Sequence, residues 1–224
     1  MYEAAREEEN ILEWLNSLVR AAVRLILPVT VLLCAFALAY GTMWQYVTAF
    51  DGLFPNNPWY LQPGFWLTVG HFMLPLAFFA IMLTNRAYGP TYAFAQVVVA
   101  WVLLAGLGAF FLPTLQTIFP ASPIPPARTT LAFLSAISVA QLVNIYVFDR
   151  VRGLPWWRAP FYGALIASAF FCVIYYPLAK AGVDPWVHQM TVDMAVKSFM
   201  AFAMLAPYAV LRPLVRPERG FGGA

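Results

Sequence analysis

Six apolar stretches decide what this chain can become: Leu25 to Tyr46, Phe65 to Thr84, Tyr92 to Leu112, Leu131 to Phe148, Tyr162 to Ala179 and Ala195 to Leu211. A helix rises about 1.5 Å per residue, so roughly 20 apolar residues cross about 30 Å of bilayer hydrocarbon. The stretches are continuously apolar, without the alternation that a lipid-facing barrel strand needs. A single helix also satisfies its own backbone hydrogen bonds in lipid. Composition decides the remaining question of solvent, because only 10% of the residues are charged, against about 25% in soluble domains. The expected fold is all-α: a polytopic membrane protein of six transmembrane helices, with an amphipathic interfacial helix ahead of the first. The corresponding division is a cytoplasmic acidic segment over 1–21, a six-helix domain over 22–211 and a cytoplasmic tail over 212–224.

The arginines set the expected orientation. Arg6, Arg20, Arg24, Arg86, Arg150, Arg152, Arg158, Arg212, Arg216 and Arg219 fall on one side of a six-span arrangement, whereas Arg128 and Lys180 fall on the other. Basic residues mark the cytoplasmic face, so both termini are expected there. Trp44, Trp59 and Trp66 at one face, with Trp156 and Trp157 at the other, suit the aromatic belts of the headgroup region. The net charge of +3 restates this arginine bias and implies no nucleic-acid partner. Cys34 and Cys172 lie within spans and read as small buried residues rather than a disulfide.

The N-terminus begins acidic, and its first apolar run is too long and too late for a cleaved signal peptide, so the segment is expected to be retained. Ile11, Leu12, Leu15, Leu18 and Val19 recur at helical spacing behind the carboxylates Glu7, Glu8 and Glu9. Lipid-binding surface helices carry Lys and Arg on the polar face. This acidic one, with Trp14, therefore suits a basic protein partner, or else simply caps the first span. Proline-rich stretches at 51–64 and 113–128 oppose helix and read as outer loops, and the proline- and glycine-containing tail after Leu211 reads as flexible.

Few residues could carry chemistry. Lys197 lies in the sixth span, where a charge must be paired or snorkel, and Asp193 one helical turn earlier can pair with it near the outer interface. Ser138, Gln141 and Asn144 follow at intervals of three on the fourth span, where such a stripe lines a polar cavity or ties helices together. His71 and His188 could meet across the bundle and hold a metal, a haem or a chlorophyll-type pigment, although hydrogen-bonded packing is the commoner fate of isolated histidines. No cofactor is expected. Without a phosphate-binding loop, zinc-ligand spacing or nucleophile elbow, the chain does not read as an enzyme.

Four stretches carry a family resemblance. Gly70-His71-Phe72-Met73-Leu74-Pro75, leading to Leu83-Thr84-Asn85-Arg86-Ala87-Tyr88-Gly89, resembles the second-span signature of the bacterial queuosine precursor transporters, the VUT family. Gln141 with Phe148-Asp149-Arg150-Val151-Arg152 is similar to that family's fourth span and its basic exit. Trp156-Trp157-Arg158-Ala159-Pro160 resembles the following loop, and Val192-Asp193, Lys197, Pro207 and Tyr208 match the last helix. The resemblance implies a six-helix transporter of 7-deazaguanine bases with intramembrane aspartates. Here the implied acidic positions hold Met82, Asn144 and Phe171, and Ser168 stands where the fifth span would hold asparagine. A carboxylate accepts the adjacent N–H donors of a guanine-like edge, and each charged hydrogen bond lost costs about 1.5–3 kcal/mol.

Those neutral positions, the acidic N-terminus and the aromatic-rich spans point to a diverged member of this fold serving as a non-transporting accessory or scaffold subunit. Its setting would be an inner-membrane photosynthetic or respiratory assembly, with other membrane subunits or a second copy as partner. The alternative is a working transporter of a 7-deazaguanine precursor or another small purine-like or neutral solute, with Gln141, Asn144, Ser168, Asp193 and Lys197 as its polar lining.

Overall fold

The computed structural model describes residues 2–53, 58, 62–118, 126–182 and 185–218, without the side chains of 2–12, 53, 107–109, 111–112 and 115–116. The calls on Glu7, Glu8 and Glu9, and on Trp59, lie outside the described side chains. The described residues are helical apart from loops, short 3-10 turns and one isolated antiparallel bridge.

The first helix, α1 (Tyr2–Gly41), runs 40 residues with Pro28 inside it. The amphipathic segment and the first span are therefore one helix. Between Glu3 and Arg24 the chain offers strong helix formers and no glycine or proline to stop it. Pro28 has no N–H to give, which frees one carbonyl of the preceding turn. Gln96 Nε2 donates to the carbonyl of Pro28 at 2.8 Å and ties this point to the neighbouring helix.

The second span is broken into α2 (Val69–Met73) and α3 (Pro75–Tyr88), joined at Leu74. Pro75 takes the first position of α3, where its missing N–H is harmless. The span was expected to start at Phe65. Instead Pro63–Phe65 form a 3-10 turn, and Thr68 begins the helix with a capping box whose second member is His71. The preceding loop pairs with this start: Val47 N–H donates to Leu67 O at 2.9 Å and Val69 N–H to Gln45 O at 2.8 Å. Gly70 is required here, since a Cβ would sit 2.9 Å from the carbonyl oxygen of Ala39 in α1.

Gly89, with φ of 86°, ends α3 in the left-handed region that glycine adopts freely. The chain then turns into α4 (Pro90–Ile118), α5 (Ala127–Arg150) and α6 (Arg158–Lys180). The last span is again broken, into α7 (Trp186–Ala203) and α8 (Leu205–Leu211) at Met204. Among the described residues five stretches are long and apolar enough to cross a membrane: Glu13–Gly41, Val69–Tyr88, Ala127–Arg150, Arg158–Lys180 and Trp186–Leu211. Helix α4 adds a further apolar stretch, Pro90–Gly106.

Packing confirms which solvent these helices face. Ile26, Leu27, Val102, Val173, Phe199 and Val210 are each more than 60% exposed, an apolar surface that water would not tolerate and lipid would. Inside, Ala77, Ala93, Ala100, Ala136, Ala140 and Ala167 are fully buried and let helix backbones approach closely. Helices α5 and α6 form the most extensive pair. Two sequence expectations change here. Trp66 is buried and meets the His71 ring edge-on rather than lying in an aromatic belt. Cys34 is exposed on the outer face of α1, whereas Cys172 is buried as expected.

The tail after α8 is also ordered as far as Glu218. Arg86 Nε–H donates to Val215 O at 3.0 Å, Glu218 N–H donates to Ala87 O at 2.9 Å, and the Glu218 carboxylate pairs with Arg24 at 2.7 Å. Arg24 is itself flanked by the rings of Tyr88 and Tyr92. The expected flexibility fails because Pro213 and Pro217 restrict the free chain, which lowers the entropy lost on docking. This strap joins the middle of α1, at Arg24, to the ends of α3 and α8 at the arginine-rich end of the bundle.

Candidate functional site

The bundle interior holds two kinds of polar residue. One kind is used up in joining helices. Asn85 Nδ2 donates to Ile145 O at 3.0 Å, while its Oδ1 and its backbone carbonyl accept from Arg152 at 2.7 and 2.9 Å. Thr84 bonds back to Ala80 within its own helix. These contacts are interhelical ties or local satisfaction.

The other kind keeps hydrogen-bonding capacity that the protein does not use. Both amide atoms of Asn144, Gln141 Nε2 and Ser168 Oγ are buried and make no hydrogen bond among the described residues. Gln141 is half satisfied, since its Oε1 accepts from Trp101 Nε1 at 2.9 Å. Leaving a buried polar group unpaired costs about 1–3 kcal/mol, so four such atoms are a substantial expense in a site with no other account of them. Gln96 Oε1 is a fifth, on α4.

Local sequence explains why these groups face inward. Gln141 and Asn144 lie one turn apart on α5, in the face that also carries the buried Ile137 and Phe148. Gly163 of α6 faces them, and a Cβ there would lie 3.4 Å from Asn144 Nδ2 and 3.5 Å from Phe148 Cβ. On α6, Ser168, Phe171 and Cys172 recur at three and four residues and form one buried face. That face leads to α7: Lys197 Nζ lies 4.9 Å from the centre of the Phe171 ring, and the Cys172 thiol donates to Asp193 Oδ2 at 3.5 Å.

Asp193 and Lys197 form a hydrogen-bonded ion pair. The pair is enclosed by protein, for the two side chains are 1% and 0% exposed. Helical spacing made the pair legible in advance; its complete burial was not. Helix α6 thus meets Asn144 through Gly163 and the ion pair through Phe171 and Cys172, with Ser168 on its buried face between them.

Ser138 leaves the expected stripe, because its hydroxyl donates to Leu134 O at 2.7 Å and it is only half-buried. Met82 and Phe171, where the family resemblance implies carboxylates, are packed apolar side chains. Met82 clusters with Phe148, Ala164, Ala201 and Tyr208, and Phe171 with Phe78, Ile137 and Ala167. His71 is committed locally: its Nδ1 accepts from the Thr68 backbone N–H at 3.1 Å and lies 2.9 Å from the Thr68 hydroxyl. His188 is half-buried near the start of α7. Among the described residues no group of three His, Cys, Asp or Glu side chains could hold a metal. Trp14 is 61% exposed on α1.

Sequence reasoning named Asn85 and Tyr208 only within the family resemblance and gave them no role. It passed over Gln96, although a lone amide in an apolar run is itself a signal, and Trp101, which nothing in the pattern distinguishes from packing aromatics.

Comparison with known proteins bears on what this interior is for. Residues 68–211 match the family described as "Putative vitamin uptake transporter". The chain is also 28% identical over 163 residues to the queuosine precursor transporter of Escherichia coli (strain K12), a match covering 66% of this chain and 74% of that protein. No solved structure matches the chain. The matched segment runs from the cap of α2 to the end of α8 and contains every unpaired polar group on α5 and α6 together with the ion pair on α7, so the chain belongs to the vitamin uptake transporter family of multi-pass α-helical membrane proteins.

Proposed function

We propose that the chain is a transporter of a small, planar, neutral solute of the purine-like class, bound between α5, α6 and α7. The observation that carries this reading is the unpaired set of Asn144, Gln141 and Ser168 in the interior. Asn144 offers a donor and an acceptor, Ser168 offers both through one hydroxyl, and Gln141 has a donor left. A heterocycle with a lactam-type edge, presenting C=O beside N–H, matches that mixture. The aromatic side chains of Phe171 and Phe148 bound the same region and supply flat apolar surface.

The Asp193–Lys197 pair contributes a fixed dipole rather than a mobile charge. Without the additional carboxylates that the resemblance implies at 82, 144 and 171, the set favours a neutral solute over a cation. The relative in Escherichia coli is named for a queuosine precursor, and a 7-deazaguanine base is the first solute to offer. The accessory-subunit reading gains no support from either comparison, and a transporter needs no partner beyond the bilayer.

The proposed setting is a bacterial inner membrane with both termini cytoplasmic. The arginines at 24, 86, 152 and 212 support it, since Arg24 and Arg86 are joined by the C-terminal strap and Arg152 is bonded to the adjacent Asn85.

The test is uptake of radiolabelled 7-deazaguanine into cells that lack their own importer and express this chain. Accumulation is expected, with loss in the Asn144→Ala and Gln141→Ala variants at unchanged membrane abundance. Equal accumulation in cells with and without the chain would refute the solute class. Uptake unaffected by both substitutions would refute the site.

A further inference from the structure

At the arginine-rich end of the bundle lies a cleft lined by Arg86, Phe148, Arg152, Gly153, Trp156 and Tyr208, with a cavity of about 10 Å³. That volume is about one water-sized sphere, so it admits a single oxygen atom and not a whole solute. It is also separate in chemistry from the interior amides, because its polar lining is guanidinium.

Arg152 is the central group. Its side chain is 14% exposed, and one terminal nitrogen serves both Asn85 and Asp149, the latter at 3.2 Å. Its Nε–H is buried and makes no hydrogen bond among the described residues. Arg212 lies 5.8 Å from the centre of the Trp156 ring, and Trp156 stacks on Tyr208 with ring centres 6.3 Å apart. Three guanidiniums, Arg86, Arg152 and Arg212, thus surround or adjoin the cleft. The carboxylate paired with Arg152 there is Asp149, itself 42% exposed. Burial holds the Arg152 guanidinium below the ordinary arginine value, a shift that an arriving anion would reverse.

The height of the cleft says which anion. It opens where α5 ends, α6 begins and α8 ends, beside a tryptophan and a tyrosine, which is headgroup level for a bundle of this kind. Arginine prefers phosphate through its planar fork of donors, and basic pockets at helix ends on the cytoplasmic side hold anionic headgroups. We propose that this cleft binds a phosphate group, one oxygen entering between Arg152, Arg86 and Trp156, supplied by an anionic phospholipid headgroup or by free phosphate.

The experiment is native mass spectrometry of the purified full chain with added phosphatidylglycerol or phosphatidylcholine of identical acyl chains, and separately with inorganic phosphate. The expected result is preferential retention of phosphatidylglycerol, displaced by phosphate. Arg152→Gln and Arg212→Gln should each weaken retention by about tenfold or more, as loss of a charge-assisted contact implies. Arg212→Gln leaves the Asn85 contact intact, so it reads the site even if Arg152→Gln impairs folding. Arg150→Gln, whose guanidinium instead lies over the exposed Tyr146 ring, should change nothing. Phosphate binding that depends on Arg212 without lipid preference assigns the site to free phosphate. Equal retention of both lipids with no phosphate binding, or retention indifferent to both arginine substitutions, overturns the proposal.

Discussion

Substituting Asp193 by asparagine strands the Lys197 ammonium inside the bundle. Its side chain is fully buried, and the carboxylate is its hydrogen-bond partner. Breaking a buried pair by removing one member costs about 3–5 kcal/mol, because the remaining charge is left without compensation. The Phe171 ring at 4.9 Å still faces the ammonium, and the asparagine oxygen can still accept from it. Asp193→Asn should therefore fall at the lower end of the range. Lys197→Met leaves the carboxylate with neutral donors alone, the Cys172 thiol and the Tyr176 hydroxyl, and should fall at the upper end. For a chain of this size 1 kcal/mol moves the midpoint by about 2–4 °C, so the single variants should melt roughly 6–20 °C lower. The double variant Asp193→Leu/Lys197→Met removes both charges together and should melt within a few degrees of the parent, as paired replacement by apolar residues is near neutral. Thermal unfolding in detergent, followed by tryptophan fluorescence, measures all four proteins. A double variant that loses the sum of the two single losses would refute the ion-pair reasoning. Uptake by the stable double variant then separates a structural pair, which leaves transport intact, from a solute-orienting one, which does not.

Asn144→Leu should abolish uptake while leaving the melting temperature unchanged or higher, since it exchanges two unpaired buried polar atoms for apolar ones; a large loss of stability would show that the amide has a structural partner. Glu218→Gln should cost no more than ~1 kcal/mol, because both members of its pair with Arg24 are more than a third exposed, and a melting shift above about 4 °C would contradict this. Removing residues 213–224 should speed hydrogen exchange around residues 86–92, which the tail covers through Ala87 and Arg86; unchanged exchange there would show that the strap is not held in solution.

How much of this was legible beforehand depends on the range over which each signal acts. The apolar runs and the one-turn spacing of Asp193 and Lys197 are local patterns, and they placed the all-α membrane fold and the pair correctly. Helix ends were less accessible. Nothing in periodicity shows that His71 closes a capping box with Thr68, or that Pro63–Phe65 turn before the second span. The fate of a polar side chain was the least legible, because it depends on what another helix presents. Ser138 and Ser168 look alike in sequence, yet one bonds to its own helix and the other does not. Docking of the tail likewise required knowing that Arg24, Arg86 and Ala87 share one end of the bundle.

The Trp101 indole, held to Gln141 Oε1 and packed beside the Phe36 ring at 5.7 Å, sets the terms on which a solute could be held. An N–H donor arriving at Gln141 Oε1 must share that oxygen with an N–H already there, or displace it, and gains less than at a free acceptor. Selectivity at this position is then a competition against the protein's own side chain. Affinity must come from Asn144 and Ser168, where an arriving solute displaces nothing, and Trp101→Phe should loosen selectivity by removing the resident competitor.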